Sequence, residues 1–311
     1  MAVYYNIDQL PTFTNAVLTV GTFDGVHLGH KSILQEVVQH AQAVNGESIL
    51  ITFHPHPRKL LHPNQPLGII TPLEQKLQLI AEAGITHTVI VPFTSAFAQL
   101  SAAAYISDFL IKRFQPHTIV IGYDHHFGND RKGNFALLEQ YAPIYNYQLF
   151  EIHEQLINDA AVSSTKIRNA IASGQMKAAH TMLGHPYSLK GTVVKGRQLG
   201  RTIGYPTANV KPHDTDQIIP CIGVYATKAI IGNHTYEGMM SIGLNPTVTH
   251  DAAIKIEINL FDFNADIYGE NIEVFPMHYL RAEAKFDGLE ALKSQIDQDK
   301  LDSIAFFAQQ A

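Results

Sequence analysis

Two histidines set three apart, in His27-Leu28-Gly29-His30, are the residues whose type and spacing point most directly to chemistry. They follow the apolar run Ala16-Val17-Leu18-Thr19-Val20 and the turn Gly21-Thr22-Phe23-Asp24-Gly25, and they precede Ile33, Leu34 and Val37 at helical spacing. The run reads as a buried parallel strand, and the glycines let the backbone approach a ligand closely. The histidines then share one face at a helix N-terminus, where unpaired amide N–H groups and the dipole favour a phosphate. Imidazoles add donors to phosphate oxygens whose charge grows as phosphorus is attacked, which suits nucleotidyl transfer. The stretch from Gly25 to Lys31 lacks the Gly-x-x-x-x-Gly-Lys-Ser/Thr spacing of a P-loop. Half a zinc site completed by His54 and His56 is the competing reading. Against it stand a single cysteine, Cys221, and acidic residues without metal spacing.

A second constellation lies far along the chain. Gly196-Arg197-Gln198-Leu199-Gly200-Arg201-Thr202-Ile203-Gly204 combines flexible backbone with positive charge, as a phosphate-holding loop requires. Pro206-Thr207-Ala208-Asn209 follows directly. Thr207 and Asn209, two apart, point to the same side of an extended segment, and two neutral oxygen donors suit a Mg2+ ion shared with ATP phosphates. Thr-x-Asn alone is uninformative, and its place after that loop makes it specific. In Ile254-Lys255-Ile256-Glu257-Ile258-Asn259-Leu260 the isoleucines alternate with polar residues. By pattern alone Glu257 is a solvated residue on an amphipathic strand. Ser164 and Arg168 are four apart, so a hydroxyl and a guanidinium face the same way on a helix and suit phosphate oxygens. Ser164 also reads as an N-cap, which is compatible with meeting a phosphate.

Two grammars of secondary structure must position these groups. From residue 15 to about 180, the strand-like runs 48–53, 88–91 and 118–122 alternate with the helical patterns 73–80 and 104–114, and Thr71-Pro72 reads as N-cap and first helical position. Such alternation implies a parallel sheet covered on both faces, with ligands at the carboxyl ends of its strands. From about residue 188 short alternating runs follow at 191–194, 223–227, 230–235, 253–261 and 272–275, and a helix over 289–307 closes the chain. That is an antiparallel barrel or sandwich. The border falls at Leu183-Gly184-His185-Pro186, dividing the chain into 1–184 and 185–311.

Composition narrows the function classes. The 311 residues suffice for two domains, and 46% hydrophobic with 16% charged residues fits a globular chain. No apolar stretch reaches membrane-spanning length, the N-terminus lacks the basic flank of a signal peptide, and one cysteine leaves no internal disulfide. A cytoplasmic protein without membrane contact is the expectation. Net charge is −6, with 11 basic and 13 acidic side chains up to residue 184 and 11 and 15 after it. Neither part has the basic excess that nucleic-acid binding requires. A homo-oligomer stays open.

The decapeptide Gly21 to His30 resembles the adenylyltransferase signature of the bacterial bifunctional riboflavin kinase/FAD synthetases. Ser163-Ser164-Thr165-Lys166-Ile167-Arg168 is similar to that family's second nucleotide-binding motif, and Gly204-Tyr205-Pro206-Thr207-Ala208-Asn209 to its riboflavin kinase signature. The resemblance implies a Rossmann-like α/β nucleotidyltransferase domain followed by a Greek-key-type antiparallel β-barrel with a C-terminal helix. It implies two reactions: phosphorylation of riboflavin by ATP in the barrel, and adenylylation of FMN by ATP in the first domain, giving FAD and pyrophosphate. It assigns His27 and His30 to the ATP phosphates and transition state, with Gly21, Phe23, Asp24 and Gly29 around the nucleotide. It makes Glu257 the kinase base, and Thr207 and Asn209 the Mg2+ ligands beside Gly196, Gly200, Arg201 and Gly204. Gly122-Tyr123-Asp124-His125-His126-Phe127-Gly128 resembles the flavin-side loop, with Asp124 and Phe127 as contacts and Phe127 able to stack on isoalloxazine. Leu280 to Phe286 resembles the flap that closes on flavin, with Arg281 as a contact. His54, His125, His126 and Asn259 depart from the usual pattern. Two rivals follow: an enzyme that keeps one activity, and a flavin- or nucleotide-binding regulator without turnover.

Overall fold

A computed structural model describes residues 1–64, 67–122, 125–152, 162–196, 200, 203–244 and 254–310. It divides into two compact units, Met1–Ser164 and Thr165–Ala311.

In the first unit the described strands are β1 (Ala2–Tyr4), β2 (Val17–Val20), β3 (Ser48–His54), β4 (His87–Pro92), β5 (Thr118–Gly122) and β6 (Gln148–Ile152). They form one parallel sheet in the order β1-β4-β3-β2-β5-β6. The central strands are mostly apolar and almost wholly buried because both faces are covered, and alternate residues feed opposite cores. Leu18, Val20, Ile49, Ile51, Ile119 and Ile121 pack on one side with Tyr105, Phe109 and Phe114. Val17, Leu50 and Val120 pack on the other with Leu34 and Val37 of helix α1 (Leu28–Ala43) and Ile80 of helix α2 (Leu73–Glu82). The helical stretch expected over 104–114 is present, widened to π geometry across Tyr105–Ile111. Helix α2 begins one residue later than the sequence suggested: Pro72, not Thr71, holds the cap position, and it makes no side-chain cap bond.

Strand order reverses at β2. Chain steps from β2 run to β3 and β4 on one side, then cross to β5 and β6 on the other. The crevice of such a sheet opens at the carboxyl ends of the two strands flanking that switch, here β2 and β5. The turn bearing His27 leaves β2, and the loop leading to Phe127 leaves β5.

The second unit begins one residue into helix α3 (Ser164–Ala172), and helix α4 (Met176–Leu183) and a closed antiparallel barrel follow. Among the described residues its strands are β7 (Leu189–Val194), β8 (Ala208–Pro212), β9 (Gly223–Ile231), β10 (His234–Leu244), β11 (Ile254–Leu260) and β12 (Asn271–Arg281), ordered β10-β11-β8-β7-β12-β9. Helix α4 packs on β12, and helix α5 (Leu289–Ala308) lies against β9, β10 and β12. The run 230–235 is not one strand. Ile231 pairs with His234 across Gly232-Asn233, and Gly232 has φ +58°, so the chain reverses there in a two-residue hairpin. Among the described residues no helix is long and apolar enough to cross a membrane.

Candidate active sites

At the switch point the turn after β2 takes an unusual path. Phe23, Gly25 and Val26 have φ of +47°, +91° and +39°. Gly25 tolerates this, whereas a left-handed Phe and a β-branched Val persist only where their surroundings over-determine them. Gly21 is needed for space, since a Cβ there would stand 2.8 Å from the Phe23 ring. His27 is the N-cap of α1, its Nδ1 accepting the His30 N–H at 3.3 Å. The two imidazoles stack with ring centres 3.6 Å apart, and Phe23 packs on His30 at 4.7 Å. Desolvation holds the His30 pKa well below the usual histidine range, reinforced by His27 and Lys76. His30 is therefore neutral at pH 7 and offers a hydrogen bond rather than a charge. Gly29 is buried within the first turn of α1.

Asp24 has a structural hold on this turn. Its buried carboxylate accepts the Ile70 and Thr71 N–H groups at 3.0 and 3.1 Å, at the entry to α2. The Ser164 hydroxyl donates to the Asp24 carbonyl at 3.0 Å. This bond ties Ser164, the last residue of the first unit, to the phosphate turn. Arg168 follows one helical turn on and is half-buried. Sequence reasoning missed Lys76, which is 7% exposed and donates from Nζ to the Thr22 carbonyl at 3.1 Å and to Thr52 Oγ1 at 3.3 Å. The signal was a lysine among apolar helix positions, which a local pattern cannot tell from a solvated one.

The loop after β5 gives a different result. Asp124 lies outside the described residues. Phe127 is 5% exposed, its ring stacked on Tyr105 at 4.8 Å and pressed against Gly133, where a Cβ would collide with it. That ring belongs to the core, so its expected stacking on isoalloxazine rests on the family resemblance alone.

The second site is a cavity of about 710 Å³ in the other unit. Thr207, Glu257, Asn259 and Arg281 line it on the barrel side, and Leu289, Leu292 and Ile296 of α5 on the other. Glu257 lies opposite Asn209 in the β11–β8 pairing. Its Oε1 accepts the Thr207 hydroxyl at 3.3 Å, and Lys255 Nζ lies 2.7 Å from its Oε2. Alternation on a free strand would leave this carboxylate in solvent; here α5 makes its polar face a cavity wall. Asn259 is buried and donates to the Pro206 carbonyl at 2.7 Å, fixing the approach to Thr207. Gly196 packs against the Asn209 amide so closely that a Cβ would collide with it, and Gly200 is held as tightly against the Tyr205 carbonyl. Gly204 has φ +86°, and Arg201 lies outside the described residues. A neighbouring cavity of about 430 Å³, lined by Phe263, Asp266 and Tyr268 among others, shares Thr207 with the first. Arg281 lines the larger cavity with its fork already engaged, making two 2.7 Å bonds to Asp299 of α5.

A hydroxyl, an amide oxygen and a carboxylate are hard oxygen donors, the set that Mg2+ prefers. Among the described residues no group of three or more His, Cys, Asp or Glu side chains is placed to hold a metal ion.

A parallel sheet with a phosphate-type crevice, followed by a barrel whose cavity carries a carboxylate, describes a two-module transferase acting on phosphates. Comparison with known proteins makes this specific. Residues 10–166 match the FAD synthetase family and residues 183–307 the riboflavin kinase family. The bifunctional riboflavin kinase/FMN adenylyltransferase of Listeria monocytogenes is 38% identical over 298 residues, covering 96% of this chain and 94% of that one. The Escherichia coli protein of the same name is 36% identical over 306 residues, covering 97% and 96%. A solved structure from Streptococcus pneumoniae, described as a macrolide-efflux protein, has a TM-score of 0.86 at 32% identity and covers 97% of both chains. The chain belongs to the bifunctional riboflavin kinase/FMN adenylyltransferase family, with the FAD synthetase module first and the kinase module second.

Proposed function

We propose that the crevice after β2 transfers the adenylyl group of ATP to FMN, and that the barrel cavity transfers the γ-phosphoryl group of ATP to riboflavin. In the first reaction an oxygen of the FMN phosphate attacks the α-phosphorus and pyrophosphate leaves. That nucleophile is already an anion, so catalysis is a matter of alignment and charge stabilisation. His27 and His30 donate to phosphate oxygens, the amide N–H groups of the α1 N-terminus face the same charge, and Ser164 secures the turn. Gly21 and Gly29 allow the nucleotide close, and the resemblance adds Arg168 as a phosphate contact. Phe23 and Asp24 act by shaping the turn, and Phe127 by anchoring the loop that carries Asp124.

In the second reaction the riboflavin 5′-hydroxyl must lose its proton as it attacks. Glu257 is the acceptor, its carboxyl group held in place by Lys255 and the Thr207 hydroxyl. Thr207 and Asn209 would hold Mg2+, which when bound neutralises charge on the ATP phosphates. The glycine loop around Gly196, Gly200, Arg201 and Gly204 holds those phosphates, and Arg281 borders the flavin space. The single observation that carries this reading is Glu257 inside a walled cavity and in contact with Thr207, where a surface residue would be solvated.

The border between the two activities lies at 184/185. The enzyme acts in the cytoplasm on small molecules, without nucleic-acid or membrane partners. Incubation with riboflavin and Mg-ATP, followed by separation of the flavins, tests the whole proposal. FMN and FAD both accumulate if it holds. FMN alone means that the first module has lost its reaction, and neither product means a binding protein without turnover.

A further inference from the structure

Lys76 has no part in the reactions as described, yet lysine is among the residues least often buried. Its ammonium reaches the carbonyl of Thr22, the second residue of the strained turn, while Thr52 Oγ1 of β3 donates to the same carbonyl at 3.2 Å. Asp24, two residues further on, fixes the backbone just before α2, the helix that carries Lys76. Turn and helix are thus joined at both ends of the stretch 22–24. Burial pushes the Lys76 ammonium down to about 8, with Asp24 acting the other way, so at neutral pH it remains mostly a cation. His30 is neutral beside it, and Lys76 is one of the reasons.

We propose that Lys76 is a positioning residue for adenylyl transfer: it holds the Thr22 carbonyl so that the 21–27 turn keeps its phosphate-binding path, and its buried charge draws the triphosphate of the nucleotide. The inference rests on the reading of that turn as the ATP site. Small displacements of a binding turn are enough to matter, since misplacement by about 1 Å costs on the order of 10²-fold in rate.

The test uses the full chain as Lys76→Met and Lys76→Arg, measuring FAD formation from FMN and ATP with riboflavin phosphorylation in the same preparation. Lys76→Met should lower kcat/KM for ATP in FAD formation by about 10²-fold. KM for FMN and the kinase rate should stay within about twofold, and the melting transition of the first unit should not fall. Lys76→Arg, which restores a cation and donors, should recover to within about tenfold of the parent. Near-parental use of ATP by Lys76→Met overturns the proposal. So does an equal loss toward ATP and FMN. Loss of the first unit's melting transition overturns it as well, because Lys76 would then be a purely structural residue. His27→Ala run in parallel separates the failures: if it also leaves FAD formation intact, the reading of the turn has failed, and the role of Lys76 falls with it.

Discussion

On the assignment proposed above, the two sites handle the same donor, ATP, with opposite electrostatics. Around the turn after β2 the chain places amide donors, two stacked imidazoles and a buried ammonium, and it commits the nearest carboxylate, Asp24, to backbone N–H groups. In the barrel cavity a carboxylate is the central group, with Lys255 and Thr207 as partners. The difference follows from the nucleophile. A phosphate oxygen arrives deprotonated and a free carboxylate nearby would only repel it, whereas a primary alcohol needs a proton acceptor. Each site therefore carries what its acceptor lacks.

The sharpest way to break that contrast is to remove the proton acceptor alone. Glu257→Gln keeps the volume and should lower kinase turnover by roughly 10²–10⁴-fold. ATP affinity in the barrel should change little, and FAD formation from supplied FMN should be normal. Near-normal kinase turnover would end the claim that a base distinguishes the second site. The reciprocal change is His27→Ala or His30→Ala, each removing a donor from the first site. FAD formation should fall by about 10²–10³-fold with riboflavin phosphorylation unaffected. If both activities dropped in a folded protein, the two chemistries would not be separable by residue.

Local grammar made the histidine site legible and the lysine within it invisible. Strand, glycine turn and helix start are encoded within fifteen residues, so His27 and His30 were placed by sequence alone. Lys76 lies some fifty residues on, and its burial depends on how α2 meets the β2 turn and β3, which no window contains. Glu257 shows the converse: alternation along β11 correctly separates Ile256 and Ile258 from it, but cannot reveal that its polar side faces a cavity that α5 also lines. The hairpin at Gly232-Asn233 was passed over because each arm contributes only two residues to the run 230–235, although Gly-Asn is itself a hairpin signal. The packing of Phe127 against Tyr105 and Gly133 was not legible either, because Tyr105 comes from a distant part of the chain.

A smaller effect concerns the cost of carrying the first site's cation. The Lys76 ammonium is pushed down to about 8 in the folded chain, while an unfolded lysine titrates near 10.4. Between those values the unfolded state binds more protons, so stability rises with pH through that window, by about 3 kcal/mol. Below pH 8 the full penalty is present. Parent and Lys76→Met melted side by side should show the parent gaining on the variant from pH 8 to 10. Asp24 is the charged group that acts on Lys76, and His30 beside it is already neutral throughout this range. A constant difference in melting temperature would mean that the ammonium bears no desolvation cost.

The smallest expected effect on turnover comes from cutting the two chemistries apart. A Pro186–Ala311 fragment retains every residue proposed for the kinase cavity, from Gly196 to Arg281, and should make FMN at close to the full-length rate but no FAD. It loses α4, which packs on β12 and carries the buried Met176, Ala179 and Leu183. It also loses Gly174, which sits against Cys221 and Tyr279 with no room for a Cβ. A Thr165–Ala311 fragment keeps both. Burying a Met or Leu side chain is worth about 1.5–3 kcal/mol, so the longer fragment should melt several degrees higher while matching the shorter one in turnover. Equal melting temperatures would show that the helices add nothing to the barrel. A Pro186 fragment that folds but cannot phosphorylate riboflavin would show that the base, the Mg2+ ligands and the cavity are not sufficient by themselves, and that the contrast between the sites is not one between separable modules.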